Sequence, residues 1–217
     1  MAKTILDVSR WQGSIDWLAV HLSKKVDGVM LRAMGNSAEG KPSNPYLDPT
    51  FEKNYEKCLQ LLIPVGVYGY FKATTIEEAD KELAFFKNCL KGKYFQLPVA
   101  VDIEDKLQAK LSKQELTDIT AHCLSTVESW GVYAILYTGL YFGRDNLYMS
   151  GAALKPYDVW VAAYRSTKPK TEYPFGMWQY TDKGKIPGIK TGVDLSHAYK
   201  DYAAIIAKKG LDRLREA

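Results

Sequence analysis

The sequence predicts an α/β fold, a single TIM-like barrel of eight mostly parallel strands with about five helices. Short apolar runs recur along the chain with little polar interruption, as strands buried on both faces require. Amphipathic stretches separate the earlier runs, two of them opened by capping residues, in the manner of successive β-α units. In the last third the helical stretches thin out while the apolar runs continue, so the barrel is expected to lack its later helices.

Ile5 to Ser9 reads as the first strand and Ile15 to Lys24 as a short helix. Gly28 to Ala33 is the second strand. A polar loop from Gly35 to Leu47, with Gly, Pro, Ser and Asn, leads to a helix from Pro49 to Leu61. Pro64 opens the third strand, Val65 to Phe71. Thr75 and Glu78 then stand at capping-box spacing and start a helix running to about Asn88. Leu97 to Ile103 is the fourth strand, and Ser112 with Glu115 caps a helix ending near Trp130-Gly131. Val132 to Tyr137 is the fifth strand. Val159 to Ala163, Gly176 to Tyr180 and Val193 to Leu195 are three further short strands, and a last helix covers Ala198 to Lys208. No repeat, low-complexity tract or linker divides residues 1–217, which are expected to form one domain with no appended module.

Composition narrows the function. The net charge of +4 is spread in short pairs such as Lys24-Lys25 and Lys208-Lys209, which supply neither a stripe nor a motif for nucleic acid. Mild positive charge is compatible with an anionic polymer as target, and equally with surface charge for solubility. No run approaches the roughly 18 apolar residues of a membrane span, so no membrane insertion is expected. Met1-Ala2-Lys3 passes straight into strand-like sequence with no apolar leader, and synthesis in the cytoplasm without a signal peptide is expected. Cys58, Cys89 and Cys123 fall in helical stretches without pairing or zinc spacing and read as small buried hydrophobes. His21, His122 and His197 fit neither a metal set nor the partner of a nucleophile. Phosphate and dinucleotide loops are absent too, so no cofactor and no metal is expected.

The chemistry lies in acids placed inside apolar strands. The fourth strand ends Val99-Ala100-Val101-Asp102-Ile103-Glu104-Asp105, and alternation puts Asp102 and Glu104 on one face, about 6.6 Å apart along the backbone. Such acids must be paired or shifted in pKa, and catalytic groups of a barrel sit at strand ends. Asp7 lies between Leu6 and Val8 on the first strand and Asp194 between Val193 and Leu195 on the last. Closure makes those strands neighbours, so the two aspartates are expected to meet at one rim. Four acids each at the end of an apolar strand suit acid/base work on a polar substrate.

Aromatic residues point to its class. Tyr70, Tyr137, Trp160 and Tyr164 fall at or just after strand ends, Trp178 and Tyr180 flank Gln179, and Trp11 follows the first strand. Aromatic faces and an amide suit a sugar ring, which offers apolar C–H faces and many hydroxyls. Trp17 and Trp130 lie in helical patterns and are assigned to the core.

These landmarks together resemble glycoside hydrolase family 25, the Chalaropsis-type lysozymes or N-acetylmuramidases. The resemblance rests on the opening Asp7-Val8-Ser9-x-Trp11-Gln12-Gly13-x-Ile15-Asp16-Trp17 and on Gly66 to Phe71, Val101-Asp102-Ile103-Glu104 and Leu136-Tyr137-Thr138. It continues through Val159 to Tyr164, Trp178-Gln179-Tyr180 and Val193-Asp194-Leu195-Ser196, covering about residues 4 to 205. It implies an incomplete β/α barrel and cleavage of the β-1,4 bond between N-acetylmuramic acid and N-acetylglucosamine in bacterial peptidoglycan. It also implies Glu104 as general acid with Asp102 close by, and Asp7 and Asp194 as the matching first- and last-strand aspartates. Met34-Gly35-Asn36-Ser37 departs from the family pattern. A bare catalytic domain looks like a phage endolysin, acting on the extracellular wall and released by a separate holin-like partner if phage-derived.

The spacing of Asp102 and Glu104 argues against an acid-nucleophile pair on opposite faces of one sugar, since retaining pairs stand about 5 to 5.5 Å apart. Substrate-assisted catalysis is therefore expected, with Asp102 polarising the N-acetyl group while Glu104 protonates the leaving oxygen; inversion through water is the other route. Two other classes fit the same residues, a wall-polysaccharide-binding lectin-like barrel and a metal-dependent phosphodiester hydrolase using the four acids.

Overall fold

The first apolar run becomes β1 (Lys3–Val8), followed by α1 (Trp17–Ser23), whose Asp16 caps the Ala19 amide. Then come β2 (Gly28–Gly35), β3 (Tyr46–Leu47), α2 (Phe51–Gln60), β4 (Val65–Phe71), α3 (Ile76–Leu90), β5 (Val99–Ile103) and α4 (Lys113–Ser129). The second half holds β6 (Ala134–Gly139), α5 (Leu140–Asn146), β7 (Asp158–Ala162), β8 (Met177–Gly184), β9 (Val193–Ala198) and α6 (Tyr202–Lys209). This computed structural model describes residues 2–215.

The sheet runs β1-β9-β8-β7-β6-β5-β4-β2 and closes through β1 against β2, with β3 added at the outer end of β2. The expected barrel of eight mostly parallel strands is present. β9 alone among the eight runs antiparallel, to both β8 and β1, because the β8–β9 connection is a short hairpin-like loop with no crossover helix. Asp194 therefore stands near the start of its strand rather than the end, yet on the same rim as the other acids, paired in register with Asp7.

Two apolar layers hold the barrel. Ile5, Met30, Leu97, Ala100, Ile135, Trp160 and Met177 pack inside it, joined by Tyr202 and Ile206 of α6. The larger outer layer lies between the strands and the helices and takes in Trp17, Trp130 and all three cysteines, which are buried and free. Ser112 and Glu115 cap α4 reciprocally, as their spacing predicts. At α3 the Thr75 hydroxyl accepts the Glu78 amide, but the Glu78 carboxylate turns to the Thr74 amide instead of closing the box. α5 and β3 are elements that sequence patterning does not mark. α5 is preceded by Gly139, which supplies no side-chain cap, and carries Gly143 in its middle, and β3 is two residues long. The last helix begins at Tyr202 because β9 continues to Ala198 and Asp201 supplies the cap.

Candidate active site

Strand ends β1, β2, β4, β5, β6, β7 and β9 deliver side chains into one cavity of about 230 Å³. Its lining comprises Asp7, Arg32, Tyr68, Tyr70, Asp102, Glu104, Tyr137, Trp160, Tyr164 and Asp194. Eight of the ten residues expected from the sequence are thus brought together. Larger grooves elsewhere on the molecule, such as the one of about 840 Å³ beside Lys113 and Tyr148, lack a cluster of acids.

Gln179 stands just behind the lining and ties it together. Its Oε1 accepts the Tyr137 hydroxyl at 3.0 Å and the Tyr164 hydroxyl at 3.1 Å, and its Nε2 donates to Asp7 Oδ2 at 3.0 Å. Trp178 does not line this cavity. On β8 alternate residues face opposite ways, so with Gln179 directed inward Trp178 turns out. There it joins the outer core, its Nε1 donating to the Ala163 carbonyl at 2.8 Å. Trp160 forms an apolar wall, edge-on to Tyr137 with ring centroids 4.6 Å apart, its Nε1 donating to Ser196 Oγ at 3.0 Å. Trp11 lies outside the cavity and is 68% exposed.

Arg32 and Tyr68 are the lining residues that the sequence reading misses. Arg32 Nε donates to Asp48 Oδ2 at 2.8 Å, and Nη2 is 2.7 Å from the same oxygen but out of hydrogen-bonding alignment. Tyr68 faces Asp7. A charge interrupting Leu31 and Ala33 is the signal for Arg32, and the same-face spacing from Tyr70 is the signal for Tyr68.

The acids raise one another. Burial, then Asp194 and Glu104, push Asp7 well above the usual carboxylate range, against the pull of Tyr68 and Arg32. Burial, then Glu104 and Asp7, do the same to Asp102. Burial and Asp182 lift Asp194 to about 6. Glu104, the first residue past β5, is open to solvent at the mouth but enclosed by protein on its other sides. Burial, Glu39, Asp194 and Asp105 raise it to about 7. Buried Asp102 Oδ1 has no hydrogen-bond partner. The cavity thus offers an acid protonated near neutrality beside a carboxylate oxygen free to accept from a ligand.

Gln179→Leu keeps the volume and removes three hydrogen bonds, stranding the buried Tyr137 hydroxyl and one oxygen of Asp7. The variant is expected to lose about 1–3 kcal/mol of stability in urea unfolding. An unchanged midpoint would show that the network carries no net stability.

The sequence pattern of the glycosyl hydrolases family 25 matches residues 6–189. The chain is similar to the uncharacterized protein YegX of Escherichia coli K12, 30% identical over 88% of this chain and 67% of the other. It is also similar to the autolytic lysozyme of Clostridium acetobutylicum, 26% identical over 88% of this chain and 54% of that one. Among solved structures, the spore cortex lytic enzyme SleM of Clostridium perfringens superposes with a TM-score of 0.78 at 26% identity, covering 91% of this chain and 67% of that one. With the matched pattern covering most of the chain, including Asp7, Asp102 and Glu104, the chain belongs to glycosyl hydrolase family 25 and is a glycoside hydrolase.

Proposed function

We propose that this barrel is the catalytic domain of a lysozyme-type N-acetylmuramidase, cleaving the β-1,4 bond between N-acetylmuramic acid and N-acetylglucosamine in bacterial peptidoglycan. Glu104, protonated up to about pH 7, shares one cavity with the unpartnered Oδ1 of Asp102, and this juxtaposition carries the assignment. The lytic activities named for the Clostridium relatives support the wall as substrate.

Glu104 donates its proton to the glycosidic oxygen as the bond to the leaving sugar breaks. Asp102 accepts the N–H of the substrate acetamide, a bond that favours its ionised form and pushes electron density onto the acetamide oxygen. That oxygen closes on the anomeric carbon, giving an oxazoline-like intermediate. Water then opens the intermediate, its proton passing to the Glu104 carboxylate, with net retention. Asp7 and Asp194 support the charge that develops on the ring, and Tyr70, Tyr137, Trp160 and Tyr164 line the sugar's place with faces and hydroxyls. Gln179 orients two of those tyrosines.

Among the described residues no helix is long and apolar enough to cross a membrane, and no group of three or more His, Cys, Asp or Glu side chains is arranged to hold a metal ion. Action is at the wall. Where the protein is made inside a cell, a holin-like partner that permeabilises the membrane supplies the route.

Purified wall incubated in excess chelator tests the reading. Undiminished release of reducing sugar is expected. Loss of activity in chelator would point to a metal-dependent hydrolase, and binding without reducing sugar to a lectin-like barrel.

A further inference from the structure

The polar loop between β2 and β3 is fastened from beneath by buried charge. Lys72, the residue after β4, has a fully buried side chain. Its ammonium donates to the carbonyls of Lys41 at 2.6 Å and Ala38 at 2.7 Å, and to the Ser37 hydroxyl at 3.0 Å. It also lies 3.5 Å from Asp105 Oδ2. An ammonium has three protons to donate, so these contacts occupy it fully.

Glu82 of α3, also buried, holds the other end of the loop. Its Oε1 accepts Asn36 Nδ2 at 2.7 Å and the Ser43 hydroxyl, while Asn36 Oδ1 accepts the Asn44 amide at 2.7 Å. Burying an ammonium or a carboxylate is costly unless it is paired, so the arrangement is specific rather than incidental.

The Asp105 carboxylate is where this loop meets the chain that carries Glu104. It accepts the Tyr70 hydroxyl at 2.8 Å, the Leu107 amide at 2.8 Å and the Gly40 amide at 3.3 Å. Gly40 reaches it from a left-handed backbone, φ +71°, that a side chain would strain. Beside Gly40, Glu39 reaches across to Lys106, 3.2 Å away.

We propose that Lys72 is a positioning residue of the active site, holding the Ser37–Lys41 loop onto Asp105 and thereby setting both the backbone beneath Glu104 and the placement of Glu39 at the mouth. The inference rests on Glu104 being the catalytic acid. The acids around Glu104 are Glu39 of the loop, Asp105 beside it, Asp194 of β9, and Asp102 and Asp7 deeper in the cavity. Tyr70, Tyr137 and Tyr164 face it from β4, β6 and the end of β7, and the neighbouring cations are Arg32, Lys106 and, beneath Asp105, Lys72. Glu39 alone of these acids belongs to the loop that Lys72 fastens.

The test measures kcat, KM and the pH profile on purified peptidoglycan for the wild type, Glu39→Gln and Lys72→Met. A wild type that does not cleave the glycan would defeat the muramidase reading itself; the variants speak to the inference only when it does. Removing the Glu39 charge makes Glu104 easier to ionise, so the alkaline limb of activity should move down by about half a pH unit. Lys72→Met should lower kcat by about tenfold or more, with a smaller change in KM. It should also expose the Gly40 amide to faster hydrogen exchange. Should Lys72→Met fail to fold, Glu39→Gln, a change at an exposed side chain, still decides. An unmoved alkaline limb in Glu39→Gln overturns the inference. So does a folded Lys72→Met with wild-type kcat and a protected Gly40 amide.

Discussion

Glu104→Gln is expected to reduce turnover on peptidoglycan by a factor of about 10² to 10⁴ while the barrel stays folded. The amide keeps the shape of the side chain and loses the proton that the leaving oxygen needs. The pH dependence has a definite sign. Glu104 works in its protonated form and its pKa is raised to about 7, so wild-type activity should fall as pH rises through that value. Raised carboxyl pKa values also mean that the folded state holds protons the unfolded chain would release, which makes ionisation at high pH destabilising. Removing one charge from this group should therefore leave the melting temperature at pH 8 equal to the wild type's or higher. A folded Glu104→Gln protein with more than half of wild-type turnover would show that another group donates the proton.

Asp102→Asn is expected to lower kcat by about 10² to 10³ with little change in KM, because the carboxylate acts on charge that develops only in the transition state. Burial and the neighbouring acids already press Asp102 towards its neutral form, so a neutral amide of the same shape should cost the fold little. The same role predicts the response to the substrate. Glycan bearing free amines in place of N-acetyl groups at the cleaved sugar lacks both the N–H partner and the internal nucleophile, and should resist the wild-type enzyme. Efficient cleavage of that glycan would remove the acetamide from the mechanism.

The parts of the molecule that patterning reveals are those where one residue type is costly in its setting. A carboxylate inside Leu6–Val8, Val101–Ile103 or Val193–Leu195 is expensive without a purpose, and all three aspartates line the cavity. Arg32 satisfies the same criterion between Leu31 and Ala33, and reading for acids alone passes over it. Alternation, which pairs Asp102 with Glu104, also pairs Tyr68 with Tyr70, and it separates Trp178 from Gln179. Applied evenly it would have added the first tyrosine and removed the tryptophan. The antiparallel course of β9 was not legible, since in the sequence its gap from Tyr180 is as long as the gap from Ala163 to Gly176 that joins parallel strands, and it shortens only because β8 extends to Gly184. What could not be read locally is the contact of Lys72, Glu82 and Asp105 with the loop at residues 36–44, since those partners lie up to 65 positions apart in the chain. A buried lysine looks in sequence like any surface lysine until the fold encloses it. The helix α5, lacking a capping side chain and containing Gly143, is fixed by its neighbours rather than by its own propensity.

Proton NMR of peptidoglycan fragments in the first moments of digestion tests the central claim most directly, because the anomeric signal of the new reducing sugar reports both the bond cut and the route. Cleavage by Glu104 with acetamide assistance predicts N-acetylmuramic acid at the new end, released as the β anomer before mutarotation. The α anomer would contradict the assisted route, and N-acetylglucosamine at the new end would contradict the muramidase.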